Sequence, residues 1–149
     1  MDQERTGESA VRPGPAFVVH AHRRPRHHVD LRLEENGALR SWALPRGLPV
    51  DPGHDRLAVQ VPDHGLDHLT YEDADKSVAD TGWWEEHDRT DRRILFTLHG
   101  RGGPRRYALI RTARGWLLHL TRDQAGGVRS TSVDSQASCV PAGSAQTRA

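Results

Sequence analysis

Nowhere does the chain carry the 3.6-residue apolar period of an amphipathic helix. Its apolar residues alternate instead along short runs that Gly and Pro cut off. Residues 16–20, 28–34, 38–44, 57–61, 94–99, 105–111 and 116–120 are such runs. Successive side chains of a strand point to opposite faces, so the pattern reads as half-buried strands. Pro45 and Pro62 limit two of the runs. Asn36-Gly37 separates the second run from the third and is a strong hairpin signal, because a type I′ turn needs positive φ at both central residues. Residues 46–55 read as a loop, residues 63–76 as irregular, and the charged stretch 77–93 has no clear pattern beyond Trp83 and Trp84. The fold expected is all-β, a small closed or partly closed β barrel of about seven to eight strands. Hydrophobic residues make up only 35% of the chain, and the deficit lies at its ends. Residues 1–15 are therefore expected to be a flexible N-terminal segment, 16–121 the barrel domain, and 122–149 a disordered C-terminal tail.

The run from His28 carries chemistry as well as structure. His28, Asp30, Arg32 and Glu34 share one parity, while Val29, Leu31 and Leu33 share the other. Residues two apart on one strand face lie roughly 6.5–7 Å from each other. Side chains at that spacing let His28 and Asp30 hold one metal ion, with His22 folding in from the segment before them. Arg32 follows on the same face, where its guanidinium can grip a phosphate in bidentate fashion. The segment reads as a metal site with an anion clamp beside it, and closure into a small barrel is expected to leave a polar-lined mouth where the His28 face gathers the metal. The plainer alternative is a solvated strand face in a chain that has 10 His, and in which Lys76 is the one lysine among 21 basic residues.

Charge and cysteine content narrow the class. The net charge of +1 hides clusters at Arg23, Arg24 and Arg26 and at Arg101, Arg105 and Arg106, which suit a polyanion. One cysteine, Cys139, supports neither a disulfide framework nor a thiolate metal cluster. The first residues have no apolar signal region and no run approaches membrane-spanning length, so the expected setting is cytoplasmic, with no membrane partner.

The motifs together resemble a known family. His22, His28, Asp30, Arg32, Leu33 and Glu34, then Gly37, Ser41-Trp42-Ala43 and Pro45-Arg46-Gly47, are similar in type and order to the 3′-phosphoesterase domain of bacterial DNA ligase D. The likeness continues through residues 56–61, Asp63-His64, residues 96–100 and 107–112, and Trp116, and so spans about residues 16–121. It implies a manganese-dependent, 3′-end-healing enzyme of end-joining DNA repair. Such an enzyme removes a 3′-phosphate and a 3′-terminal ribonucleoside from DNA or RNA-tipped primer ends. By that likeness His22, His28 and Asp30 hold Mn²⁺ or another divalent first-row metal. Arg32 and His64 contact the scissile phosphate, Arg46 and Arg56 are further phosphate contacts, and Asp2, Thr6 and Glu8 match an acidic N-terminal segment. Expected partners are DNA or RNA–DNA 3′ ends, beside a separate DNA ligase, polymerase or Ku-type end-binding protein.

Three departures from the family pattern stand out. Met1 takes the place of an arginine. His68 replaces a tyrosine four residues after His64 and is carried as a catalytic candidate. A shorter DADKSVADTGWW replaces a Gly-rich stretch, which implies a barrel trimmed by a strand pair. Two other readings compete. In one, the departures leave a nucleic-acid-end-binding module that partners a ligase without cleaving. In the other, His28 and Asp30 begin a non-haem iron oxygenase site that His99 completes. His20, His27, His99 and His119 are otherwise expected to be ordinary strand or surface histidines, and the four tryptophans to be core.

Overall fold

The computed structural model describes residues 12–124. Asp2, Thr6 and Glu8, and most of the two proposed tails, lie outside the described residues. Eight strands follow in order: β1 (Ala16–His22), β2 (His28–Glu35), β3 (Ala38–Leu44), β4 (Arg56–His64), β5 (Lys76–Thr90), β6 (Arg93–Gly100), β7 (Gly103–Thr112) and β8 (Gly115–Leu120). A single 3₁₀ turn, η1 (Leu66–Thr70), sits between β4 and β5. All neighbouring strands are antiparallel, and they close in the order β1-β2-β3-β4-β8-β7-β6-β5.

The apolar parity of each run supplies the interior. Phe17 and Val19 of β1, Leu31 and Leu33 of β2, Trp42 and Leu44 of β3, Phe96 of β6, Leu109 of β7, and Trp116 and Leu118 of β8 all belong to one buried cluster. An eight-stranded barrel encloses just enough space for such side chains to fill it. Asn36 and Gly37 have φ of 55° and 83° and turn β2 into β3, as the Asn-Gly signal requires.

Three expectations need correction. The barrel is not trimmed by a strand pair. The charged stretch after residue 76 forms β5, a 15-residue strand that pairs with β1 on one side and β6 on the other and so closes the barrel. Its polar side chains face outward, while Trp84 is 3% exposed and packs inward, so neither period shows clearly in the sequence. Pro62 does not stop β4, because it falls where the register with β3 shifts between Leu39/His64 and Ser41/Val61. A proline is tolerated at such a bulge, where no ladder donor is needed. Finally, the polar face of β2 does not line the barrel mouth. It stands on the outer wall, because the interior is taken by the apolar parity of the same strand.

Candidate metal and phosphate site

Register brings the polar side chains of β1 and β2 together. His22 is paired with His28, His20 with Asp30, and Val18 with Arg32. Directly opposed residues of an antiparallel pair share a face, with Cβ atoms roughly 4.5–5.5 Å apart. The imidazoles of His22 and His28 stack at 4.5 Å between centroids. His22 Nε2 lies 2.9 Å from Asp30 Oδ2, and His28 Nε2 lies 3.6 Å from Asp30 Oδ1. One candidate ligand atom from each of these three residues lies within 4.8 Å of the others.

The donor set suits a cation. His28 Nδ1 is 3.0 Å from the Arg26 carbonyl and must donate to it, since a carbonyl only accepts. That fixes the tautomer and leaves Nε2 with a lone pair facing Asp30. His22 Nε2 is buried and makes no hydrogen bond, although Asp30 is near, so its angle to the carboxylate is wrong for donation. The His28 Nε2 lone pair, the unbonded His22 Nε2 and the Asp30 carboxylate thus converge at one place. Two His and one carboxylate are a ligand set for a divalent first-row ion. Burial lowers the His22 pKa from its usual value and outweighs the opposing pull of Asp30, which keeps the ring neutral and able to ligate.

Arg32 completes a closed network rather than pointing into solvent. It is 1% exposed. Its Nη2 donates to Asp30 Oδ2 at 3.0 Å, its Nη1 to Ser41 Oγ at 3.0 Å, and its Nε to His20 Nδ1 at 3.1 Å. Three of its five N–H donors are occupied, so two have no partner among the described residues. Burial disfavours the Arg32 charge, and the carboxylate beside it offsets part of that cost. His20 is not an ordinary strand histidine. It is fully buried, accepts from Arg32 at Nδ1, and so carries its proton at Nε2, which donates to the Tyr71 carbonyl at 2.9 Å. Burial drives the His20 pKa down to about 4.

The bond from His20 to Tyr71 ties β1 to the segment 65–76, which roofs this wall. His64, at the end of β4, stacks on His68 at 4.2 Å, and His68 stacks on Tyr71 at 4.6 Å. His20 meets His68 edge-on at 5.2 Å. His68 and Lys76 close the stack, with Lys76 Nζ 2.8 Å from His68 Nε2. Burial lowers the His64 pKa first and Arg32 second. Burial also lowers the His68 pKa, to about 4, with Lys76 next in effect.

Arg46 and Arg56 flank the cluster from the strand ends. Arg46 is exposed and lines a cavity of about 470 Å³ with Ala21, His22, His28 and Val29. Arg56 Nη1 donates to the Arg46 carbonyl at 2.8 Å, which ties the start of β4 to the turn after β3. His99 lies outside the cluster. Its Nε2 is 2.9 Å from Glu85 Oε1, and its ring stacks on Trp83 at 4.1 Å, so it does not complete an oxygenase triad with His28 and Asp30. The sequence pattern assigns no functional role to His20, which it reads as an ordinary histidine, or to Lys76. Parity alone places His20 beside Asp30 and Arg32, but its burial depends on a roof some fifty residues downstream.

Comparison with known proteins identifies the family of the chain. The model of the DNA Ligase D 3′-phosphoesterase domain matches residues 20–111. A multifunctional non-homologous end joining protein LigD from Mycolicibacterium smegmatis is 35% identical over 129 residues, covering 72% of this chain and 17% of that protein. A multifunctional non-homologous end joining DNA repair protein LigD from Mycobacterium tuberculosis is 34% identical over 134 residues, covering 80% of this chain and 18% of that protein. The Pseudomonas aeruginosa counterpart is 37% identical over 126 residues, covering 72% and 15%. The chain thus spans less than a fifth of the length of these relatives.

Proposed function

The chain belongs to the DNA ligase D 3′-phosphoesterase domain family, and from that membership and the site's chemistry we propose that it is a divalent-metal-dependent 3′-phosphoesterase acting on DNA or RNA-tipped DNA ends. Its place would be end-joining repair, where a clean 3′-hydroxyl is needed for sealing. The observation that carries the reading is the convergence of His22 Nε2, His28 Nε2 and the Asp30 carboxylate within 4.8 Å, with the Arg32 guanidinium bonded to the same carboxylate.

His22, His28 and Asp30 would hold the metal, and manganese is the ion expected of the family. A bound ion would supply Lewis-acid charge to a phosphoryl oxygen. Arg32 would use its two free N–H donors on the same phosphate, held in place by Asp30, Ser41 and His20. His64 would either donate a proton to the leaving oxygen or stabilise its charge. Arg46 and Arg56 would hold the nucleic-acid backbone at the rim of the cavity. Asp2, Glu8 and His68 remain candidates for assisting roles, the first two beyond the described residues.

The test is a primer–template whose primer ends in a 3′-phosphate or in a 3′-terminal ribonucleotide tract. Incubated with the protein and manganese, it should convert to a 3′-hydroxyl end on a sequencing gel. Conversion should stop in EDTA and in His28→Ala. Full activity in either condition would overturn the site. Tight end binding with no conversion would leave a non-cleaving end-binding module in its place.

A further inference from the structure

Lys76 is the one lysine of the chain, and the fold places it at the join between the two halves of the site. As the first residue of β5 it is the register partner of His22, so its side chain leaves the sheet on the face of the metal-ligand cluster. From there the ammonium reaches the roof. Nζ lies 2.8 Å from His68 Nε2 and 5.2 Å from the centre of the Tyr71 ring. Mutual backbone hydrogen bonds between Asp73 and Lys76 close the turn that aims it there.

No carboxylate among the described residues lies within ion-pair distance of this ammonium, whereas Arg24, Arg32, Arg40, Arg89, Arg93 and Arg106 all have one. Burial disfavours the charge and Arg32 disfavours it further, while Asp30 and Asp73 favour it from beyond ion-pair distance. A lysine has three N–H donors and no acceptor. One donor goes to the neutral His68 ring, and two are left. A half-buried cation with no paired carboxylate among the described residues, and within electrostatic reach of Arg32, is a costly way to prop up an imidazole; a neutral donor would serve as well. The arrangement is favourable once an anion enters between Lys76 and Arg32.

We propose that Lys76 contacts the substrate, its ammonium binding the terminal phosphate of a nucleic-acid 3′ end from the roof side while Arg32 binds it from the wall. The inference rests on the proposed reading of the site as one for 3′-phosphate ends. It adds a phosphate-recognising residue contributed by β5, the strand that the sequence pattern left undefined. His68 then acts as the positioning partner that holds the ammonium over the site, and its stack on His64 links the two histidines to the same anion.

The test needs no turnover. In EDTA, fluorescence anisotropy compares the full chain's affinity for two otherwise identical primer–templates, one ending in a 3′-phosphate and the other in a 3′-hydroxyl. The wild type should prefer the phosphate end, and Lys76→Met should lose about tenfold of that preference while binding the hydroxyl end unchanged. Lys76→Arg should restore most of it. Loss of affinity for both ends alike would make Lys76 a structural prop and overturn the proposal, as would an unchanged preference in Lys76→Met or no preference in the wild type.

A second measurement uses the wild-type chain and so holds even if Lys76→Met does not fold. Because Lys76 is the only lysine, acetylation by an amine reagent can be read there by mass spectrometry. The 3′-phosphate duplex should slow it and the 3′-hydroxyl duplex should not; equal rates would count against the contact. A chain that shows the preference and the protection but releases no phosphate would sink the enzyme reading and leave this inference standing.

Discussion

The outer wall of this barrel differs sharply between its two sides. Over β8 the pattern alternates cleanly, with Trp116, Leu118 and Leu120 buried and Leu117 and His119 part-exposed between them. Neighbouring β4 shows Leu57 at 48% and Val59 at 44% exposure on that outer face. Over β2 both faces are buried from Asp30 to Leu33. The inner face there is ordinary apolar core. The outer face is a carboxylate, a guanidinium and an imidazole, covered by the 65–76 segment and hydrogen-bonded in a chain that ends on the Tyr71 carbonyl. A barrel needs only its interior to fold. A covered polar exterior adds desolvation cost without adding core, which is the cost the proposed binding site would account for.

The two walls should therefore answer differently to substitution. The largest effect should come from Asp30→Ala. It removes the carboxylate shared by His22, His28 and Arg32 and leaves a buried guanidinium unpaired, at a cost of about 3–5 kcal/mol. Urea unfolding should show that loss, and metal-dependent activity should fall to background even in the folded fraction. A loss below 1 kcal/mol would mean the network is solvated and the roof is open.

His20→Ala comes next. It strands the Tyr71 carbonyl and the Arg32 Nε donor, so a destabilisation of about 1–3 kcal/mol is expected. Its sharper signature is kinetic: kcat should drop while metal affinity holds, because Arg32 loses one of three restraints and His22 loses none. Equal loss of metal affinity would show that His20 supports the ligands instead.

Acid should expose the same difference without touching the bare wall. His68 is held down to about 4 in the folded chain by burial first and by Lys76 next, against an ordinary value of 6.5. The unfolded chain therefore binds more protons between these values, and its contribution to stability is complete above pH 6.5 and is lost as pH falls toward 4. Denaturation curves in EDTA should be steeper in this window for the wild type than for His68→Gln. Identical pH profiles would remove His68 from the roof.

On the other wall, Leu57→Ser should be the smallest change. Leu57 is half exposed, and a surface substitution there should stay within about 0.5 kcal/mol with activity unchanged. A larger effect would show that this wall, too, is covered in solution.

Much of this was legible in the residues themselves. Parity alone set Leu31 and Leu33 against His28, Asp30 and Arg32, and Asn36-Gly37 gave the hairpin that follows. The closed all-β barrel followed from the same alternation. What sequence did not show were features that depend on distant register. β5 pairs on both edges and presents charges outward, so its run reads as neither strand nor helix. The burial of His20 needs Tyr71, and the place of Lys76 depends on its pairing with His22 across the barrel seam. The expected barrel-mouth site failed for a similar reason: one parity of β2 cannot both fill the interior and line a polar opening.

On the proposed reading, the covered wall holds a divalent metal between His22, His28 and Asp30. Free aqueous manganese gives an electron paramagnetic resonance signal that bound manganese largely loses, so titrating the full chain at pH 7.5 counts bound ions directly. One ion per chain is predicted for the wild type, with binding lost in His28→Ala while circular dichroism still reports the β fold. Equal binding by both proteins, or none by the wild type, would contradict the account.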